Sequence, residues 1–159
     1  MPWTEKSPLK YMVAMLIAVA AFALFVIQVR AEAGQEDIIM TNITVTVAGT
    51  SFPGVLYDNA AAKNLLSRLP ATFSLSRDSR DYCGDVGKAL AYEEKDVRSG
   101  YRNGDLAYWL PGNDFVVFTE REESSGEVDG CVIMGRLQGG IEEIRNLGPS
   151  LEVTVAKKE

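Results

Sequence analysis

The sequence predicts a mainly β domain, a small closed barrel with two short α-helices, carried behind an N-terminal apolar helix. Three observations predict it. Residues 42–47 and 151–155 alternate apolar and polar with the same period, so the first and last strands can pair and leave no open edge. Residues 106–110 and 115–118 flank Pro111-Gly112-Asn113-Asp114, a hairpin signature. Neither run alternates, so both faces of that hairpin should be covered. Finally, residues 11–27 hold neither a charge nor a polar amide.

That apolar run is just long enough to cross a bilayer's hydrocarbon, and Gln28-Val29 extend it. Lys6 and Lys10 precede it while Glu32, Glu36 and Asp37 follow, an orientation that keeps the N-terminus inside and exports the rest. The length favours a retained anchor, and Ala31-Glu32-Ala33 has the form of a signal peptidase site, so a cleaved signal peptide stays open. The expected organisation is a cytoplasmic stretch over 1–10, an anchor or signal segment over 11–29, a linker over 30–41 and a folded domain over 42–157. The expected location is the cell membrane, single-pass with the domain outside the cytoplasm, or secretion after cleavage near Ala33.

Within the domain, Ile43, Val45 and Val47 form one face of the first strand. Gly49-Thr50 turns the chain into a second strand over 51–57, where Pro53-Gly54 suggests an edge or a bulge. Asp58 or Asn59 can cap a helix over 60–69 that buries Leu65, Leu66 and Leu69 and stops at Pro70. Residues 71–76 are a third strand. Residues 77–104 are polar and glycine-dotted, a long irregular segment of the kind that carries function. After the central hairpin comes a solvated 120–130 turn, then a strand over 131–137. A helix over 141–147 follows, with Glu142 and Glu143 at its positive end and Arg145 at its negative end. Gly148-Pro149 ends it before the terminal strand.

Composition narrows function by exclusion. The chain has no histidine, which removes histidine-based triads, histidine zinc sites and imidazole bases. Lys6, Lys10 and Arg30 against Glu5 and Glu32 give residues 1–33 a charge of +1, leaving −7 for the remainder of a chain whose net charge is −6. An acidic domain argues against nucleic acid as a partner. The glutamate pairs form no Asp-x-Asp-x-Asp-Gly loop, and Gly139-Gly140 sits in no phosphate-loop pattern, so neither a metal nor a cofactor is expected.

The motifs resemble a known family when taken together. Leu56-Tyr57-Asp58-Asn59, Leu69-Pro70, Gly104-Asp105-Leu106 and Ile133-Met134-Gly135-Arg136 follow one another at spacings similar to those of the small cyclophilin-like domains of bacteria and archaea. The resemblance covers nearly all of 42–157. It implies a small closed cyclophilin-like barrel with a peptide groove beside the central hairpin. True cyclophilins isomerise Xaa-Pro bonds with an arginine, a glutamine and aromatics around an apolar pocket. On that resemblance the arginine falls at Arg77 or Arg80, the groove phenylalanine near Val116 or Val117, and Cys131 stands where the groove histidine would be. No aromatic occurs over 120–130, where the groove tryptophan would lie.

Within this frame the candidate residues can be placed. Tyr108 and Trp109 point to opposite faces of one strand, so one of them can face a groove. Arg77, Arg80, Tyr82, Tyr101 and Arg102 could ring it and hold an anionic or peptide ligand. The ligand set is therefore Tyr82, Tyr101, Arg102, Tyr108, Trp109 and Val116, with Arg77 and Arg80 as catalytic candidates. Cys83 and Cys131 are the only cysteines, and export favours their pairing. Closing that loop would add about 4 kcal/mol in a chain-entropy account, and two independent thiols are the alternative. The expected role is a binding module for a peptide or small ligand, without covalent chemistry. The alternative is a divergent prolyl isomerase for exported proteins.

Overall fold

The computed structural model describes residues 40–159. The segment at 11–29 and its linker lie outside the described residues. Within them, no helix is long and apolar enough to cross a membrane.

The order of elements is β1 (Thr41–Val47), β2 (Thr50–Leu56), α1 (Ala60–Leu66), β3 (Ala71–Arg77), β4 (Asp81–Asp85) and β5 (Val97–Arg98). It continues with β6 (Asp105–Trp109), β7 (Asp114–Phe118), β8 (Cys131–Leu137), α2 (Ile141–Arg145) and β9 (Ser150–Lys157). Eight strands run β2-β1-β9-β3-β4-β7-β6-β8 and close back onto β2, while the two-residue β5 leans on the start of β8. The equal periods of the first and last strands are realised as an antiparallel pair, with Val45 opposite Val155 and Val47 opposite Val153. Closure leaves no long open edge for another chain to extend.

The interior follows from the alternation. Ile43, Val45, Leu75, Leu106, Phe115, Val117, Val153 and Val155 are buried inside the ring, and Phe73 stacks on Phe115 at 4.5 Å. Buried apolar area of this kind is the dominant stabilising term. Helix α1 seals it with Ala61, Ala62 and Leu65, and Asn59 caps the helix by accepting from the Ala62 N–H at 2.9 Å. Asn59 Nδ2 also donates to the Ile133 carbonyl at 2.8 Å, which ties the helix start to β8. Both helices are shorter than the sequence suggested, because the chain tightens into i→i−3 bonds, from the Arg68 N–H to the Leu65 carbonyl at 2.9 Å and from the Leu147 N–H to the Ile144 carbonyl at 3.1 Å.

Two details differ from expectation. β2 lies between β1 and β8, so it is not an edge strand, but its pairing with β8 covers only Gly54 to Leu56. Pro53 ends that ladder: its carbonyl still accepts from the Gln138 N–H at 2.8 Å, but it has no N–H to give in return. In addition, part of the irregular 77–104 segment is the strand β4, paired with β3 on one side and β7 on the other.

A bulge shapes the far end of the barrel. Leu106 faces Gly135 and Ala107 faces Ile133, so Met134 is an extra residue on β8. Residues three apart on a regular strand point to opposite faces. Here Ile133 and Arg136 share one cavity outside the barrel. Bulges re-aim side chains in this way.

Candidate functional site

An ordinary barrel strand buries one face and wets the other. Strands β6, β7 and β8 are buried on both. Outside the ring, Ala107, Val116, Phe118, Cys131 and Ile133 form a second apolar cluster with Tyr101, joined by the partly buried Tyr57, Cys83, Trp109 and Val128. Segments 99–104 and 120–130 supply the cover. Tyr101 lies flat on Phe118 with ring centroids 3.7 Å apart, and its hydroxyl donates to the Glu120 carbonyl at 2.9 Å. Trp109 is held from the other side by its Nε1–H donating to the Asp129 carbonyl at 3.0 Å.

The cover is incomplete. A cavity of about 170 Å³ remains, floored by Cys83, Val116 and Phe118, walled by Trp109 and Val128, and edged by Asp78, Arg80 and Asp81. Apolar cavities of about 150 Å³ accept a benzene-sized guest. This one therefore suits one ring or one branched side chain and is too small for a whole drug-sized ligand.

Charge is distributed unevenly around it. Arg80 donates to Glu127 Oε2 at 2.6 Å and to the Ser124 carbonyl at 3.1 Å, which pins the cover segment to β4 and holds the Glu127 carboxyl below its ordinary pKa. Asp81 is different. Its Oδ1 is buried with no hydrogen-bond partner. Burial pushes its carboxyl up to about 6, with Asp78 and Asp114 pushing the same way against the Cys83 thiol and Arg80. A buried acceptor left unpaired costs on the order of 1–3 kcal/mol.

The cysteines are poor nucleophiles. Burial, then the neighbouring Asp81 carboxylate, pushes the Cys83 thiol up to about 12, and burial pushes Cys131 up to about 11. Reaction requires the thiolate. The disulfide expected between them is not formed, and both are free. Cys83 on β4 and Cys131 on β8 share the outer cluster, but β7 and β6 run between them. Three strand spacings of about 4.8 Å exceed the reach of a disulfide. Among the described residues no group of three or more Cys, Asp and Glu side chains is placed to hold a metal ion.

The other candidates divide cleanly. Of the adjacent Tyr108 and Trp109, Trp109 faces the cavity. Tyr108 is inside the barrel, its hydroxyl donating to Asn113 Oδ1 at 2.7 Å. Tyr82 is also interior, with its hydroxyl donating to the Gly148 carbonyl at 3.1 Å, so neither tyrosine can meet a ligand in the groove. Val116 faces out and Val117 in. Arg80 borders the cavity. Arg77 pairs with Glu120 at 2.7 Å and lies 5.6 Å from the centre of the Tyr82 ring. Arg102 belongs to a separate cavity of about 270 Å³, together with Tyr57, Arg98, Asp105, Ile133 and Arg136. Sequence reasoning missed Asp81, Asp105 and Arg98. Only the Gly-Asp-Leu motif marked one of them.

The closed eight-strand ring agrees with comparison against known families. The model of the cyclophilin-like family matches residues 45–156. The chain belongs to the cyclophilin-like family. No curated protein matches it. Among solved structures, the solution structure of a hypothetical protein from Archaeoglobus fulgidus is similar, with a TM-score of 0.60 at 17% identity, covering 77% of this chain and 98% of that one. That likeness extends to the fold. The cyclophilin-like domain thus has its architecture from the family, and its site chemistry must be argued from its own side chains.

Proposed function

We propose that this chain is an exported cyclophilin-like binding module, tethered by residues 11–29 or released by cleavage near Ala33, which captures one apolar side chain of a peptide or a small ligand in the outer cavity. One observation carries the reading: the apolar cluster outside the ring leaves an unfilled cavity beside Trp109, with the charged side chains Asp78, Arg80 and Asp81 at its edge. An apolar ligand group would fill the space while a polar part of the ligand meets the charged side chains at the cavity edge. Neither step involves covalent chemistry, which agrees with thiols held protonated.

Divergent prolyl isomerisation is the second reading, favoured by Arg80 at the cavity edge. Twisting an amide needs a pocket and a donor, not an acid–base pair. Against it, the Arg80 guanidinium is already engaged by Glu127 and Ser124. The two readings separate in one experiment on the full-length chain in nonionic detergent. Short peptides are followed by Trp109 fluorescence for binding and by a protease-coupled assay for isomerisation. Binding without catalysis supports the module. Catalysis lost in Arg80→Ala and kept in Arg77→Ala would replace it with the enzyme. A folded protein that neither binds nor catalyses refutes both.

A further inference from the structure

We propose that the second outer cavity, where β6 begins and β8 ends, is a binding site for a dianionic phosphoryl group. Its lining is Tyr57, Arg98, Arg102, Asp105, Ile133 and Arg136, around a volume of about 270 Å³. Three guanidinium groups against one carboxylate leave a local charge of +2 in a domain that is otherwise strongly acidic.

Most of the donors there are unspent. Asp105 has a side chain only 4% exposed, and its Oδ2 accepts from the Arg102 backbone N–H at 2.8 Å. The nearest guanidinium nitrogens stand back, Arg136 Nη1 at 3.9 Å and Arg98 Nη2 at 4.0 Å. Arg136 spends one N–H on the Asn103 carbonyl at 3.1 Å. The side chains of Arg98 and Arg102 donate to no described residue. The buried carboxylate therefore draws in Arg98 and Arg136 without accepting a hydrogen bond from either guanidinium, Arg102 lines the same cavity, and the Met134 bulge brings Arg136 to it.

Charge and geometry select the ligand class. A phosphomonoester carries about −1.5 to −2 at neutral pH, which matches +2, whereas a carboxylate would leave one cation unmet. Guanidinium forks present paired N–H groups that suit phosphate oxygens. The phosphoryl group can come from a soluble phosphomonoester or from a lipid headgroup, and both present the same oxygens.

The test titrates inorganic phosphate, glycerol 1-phosphate and phosphatidate in detergent micelles into the full-length chain, with calorimetry at pH about 7.5, where the phosphomonoester is dianionic. Acetate serves as the monoanion. We expect saturable binding of at least one phosphoryl probe, with acetate not competing. Binding should weaken at least tenfold in the double variant Arg98→Gln/Arg102→Gln and stay unchanged in Arg77→Gln. Tighter binding of phosphatidate than of glycerol 1-phosphate assigns the lipid source, and the reverse assigns the soluble one. Both arginines replaced are on the surface, so the variant should keep its fold, which circular dichroism checks. No saturable binding in the millimolar range, or binding indifferent to the Arg98/Arg102 change, overturns the proposal.

Discussion

Replacing Asp81 by asparagine should stabilise the protein at neutral pH, although it removes a charge beside an arginine. Folding raises this carboxyl from 3.8 to about 6, first through burial. A carboxyl raised in this way holds its proton more tightly folded than unfolded. The contribution of Asp81 to stability is therefore greatest below 3.8, falls as pH rises towards about 6, and stays reduced above that. Each tenfold weakening of the acid corresponds to about 1.4 kcal/mol, so the ionised carboxylate costs at most roughly 3 kcal/mol. The asparagine side chain is neutral at every pH and similar in shape. Asp81→Asn should therefore recover roughly 1–3 kcal/mol at pH about 8, a Tm gain of at least roughly 4 °C for a domain of this size. The gain should shrink by about 1.4 kcal/mol between pH about 8 and pH about 5, because the wild-type carboxyl is then largely protonated when folded. Parallel thermal melts of the two proteins across that range read the difference directly, since every other group titrates in both. A gain independent of pH, or a variant less stable at the alkaline end, would refute the reasoning about burial.

Two further outcomes follow from the same geometry. Asn59→Ala removes the cap bond to Ala62 and the bond to the Ile133 carbonyl, and should lower stability by roughly 2 kcal/mol in denaturant melts. A loss within error of zero would show that neither bond matters. Cys83 and Cys131, pushed up to about 12 and about 11, should alkylate with iodoacetamide at pH about 8 at least roughly tenfold more slowly than a free thiol, since the scarcity of thiolate outweighs its greater nucleophilicity. Alkylation at the free-thiol rate would contradict their burial.

The barrel was legible in the sequence because its outer strands obey simple alternation. Val45 and Val155 announce their faces, and Asn59 and Gly148 mark helix ends. β4 was not legible, for a physical reason. Its segment, Asp-Tyr-Cys-Gly-Asp, has one interior side chain of size, Tyr82, while Gly84 is small because a Cβ there would meet the Ser74 carbonyl of β3. The features that hid this strand are those that built the site, since Asp81 and Cys83 face the cavity and break the alternation. Tyr82 and Tyr108 misled because a tyrosine in a loop-like or two-faced stretch does not reveal which way it points. The outer cluster itself was legible as runs that failed to alternate, although not as a cavity. Asp105 was visible only as part of a family motif, because its arginine neighbours come from separate places in the chain.

The central claim is that the cavity beside Trp109 receives a ligand's apolar group. The direct measurement is a fluorescence titration of Trp109 in the full-length chain carrying Trp3→Phe, which leaves one tryptophan. The probes are Ala-Ala-Xaa-Ala amides with Xaa as Pro, Leu or Phe, and the comparison is a second variant with Val128→Phe, which fills the cavity from its outer wall. The account predicts a saturable change for at least one peptide and an affinity at least tenfold weaker when the cavity is filled. No saturable change in a folded protein, or one that Val128→Phe leaves untouched, would contradict it.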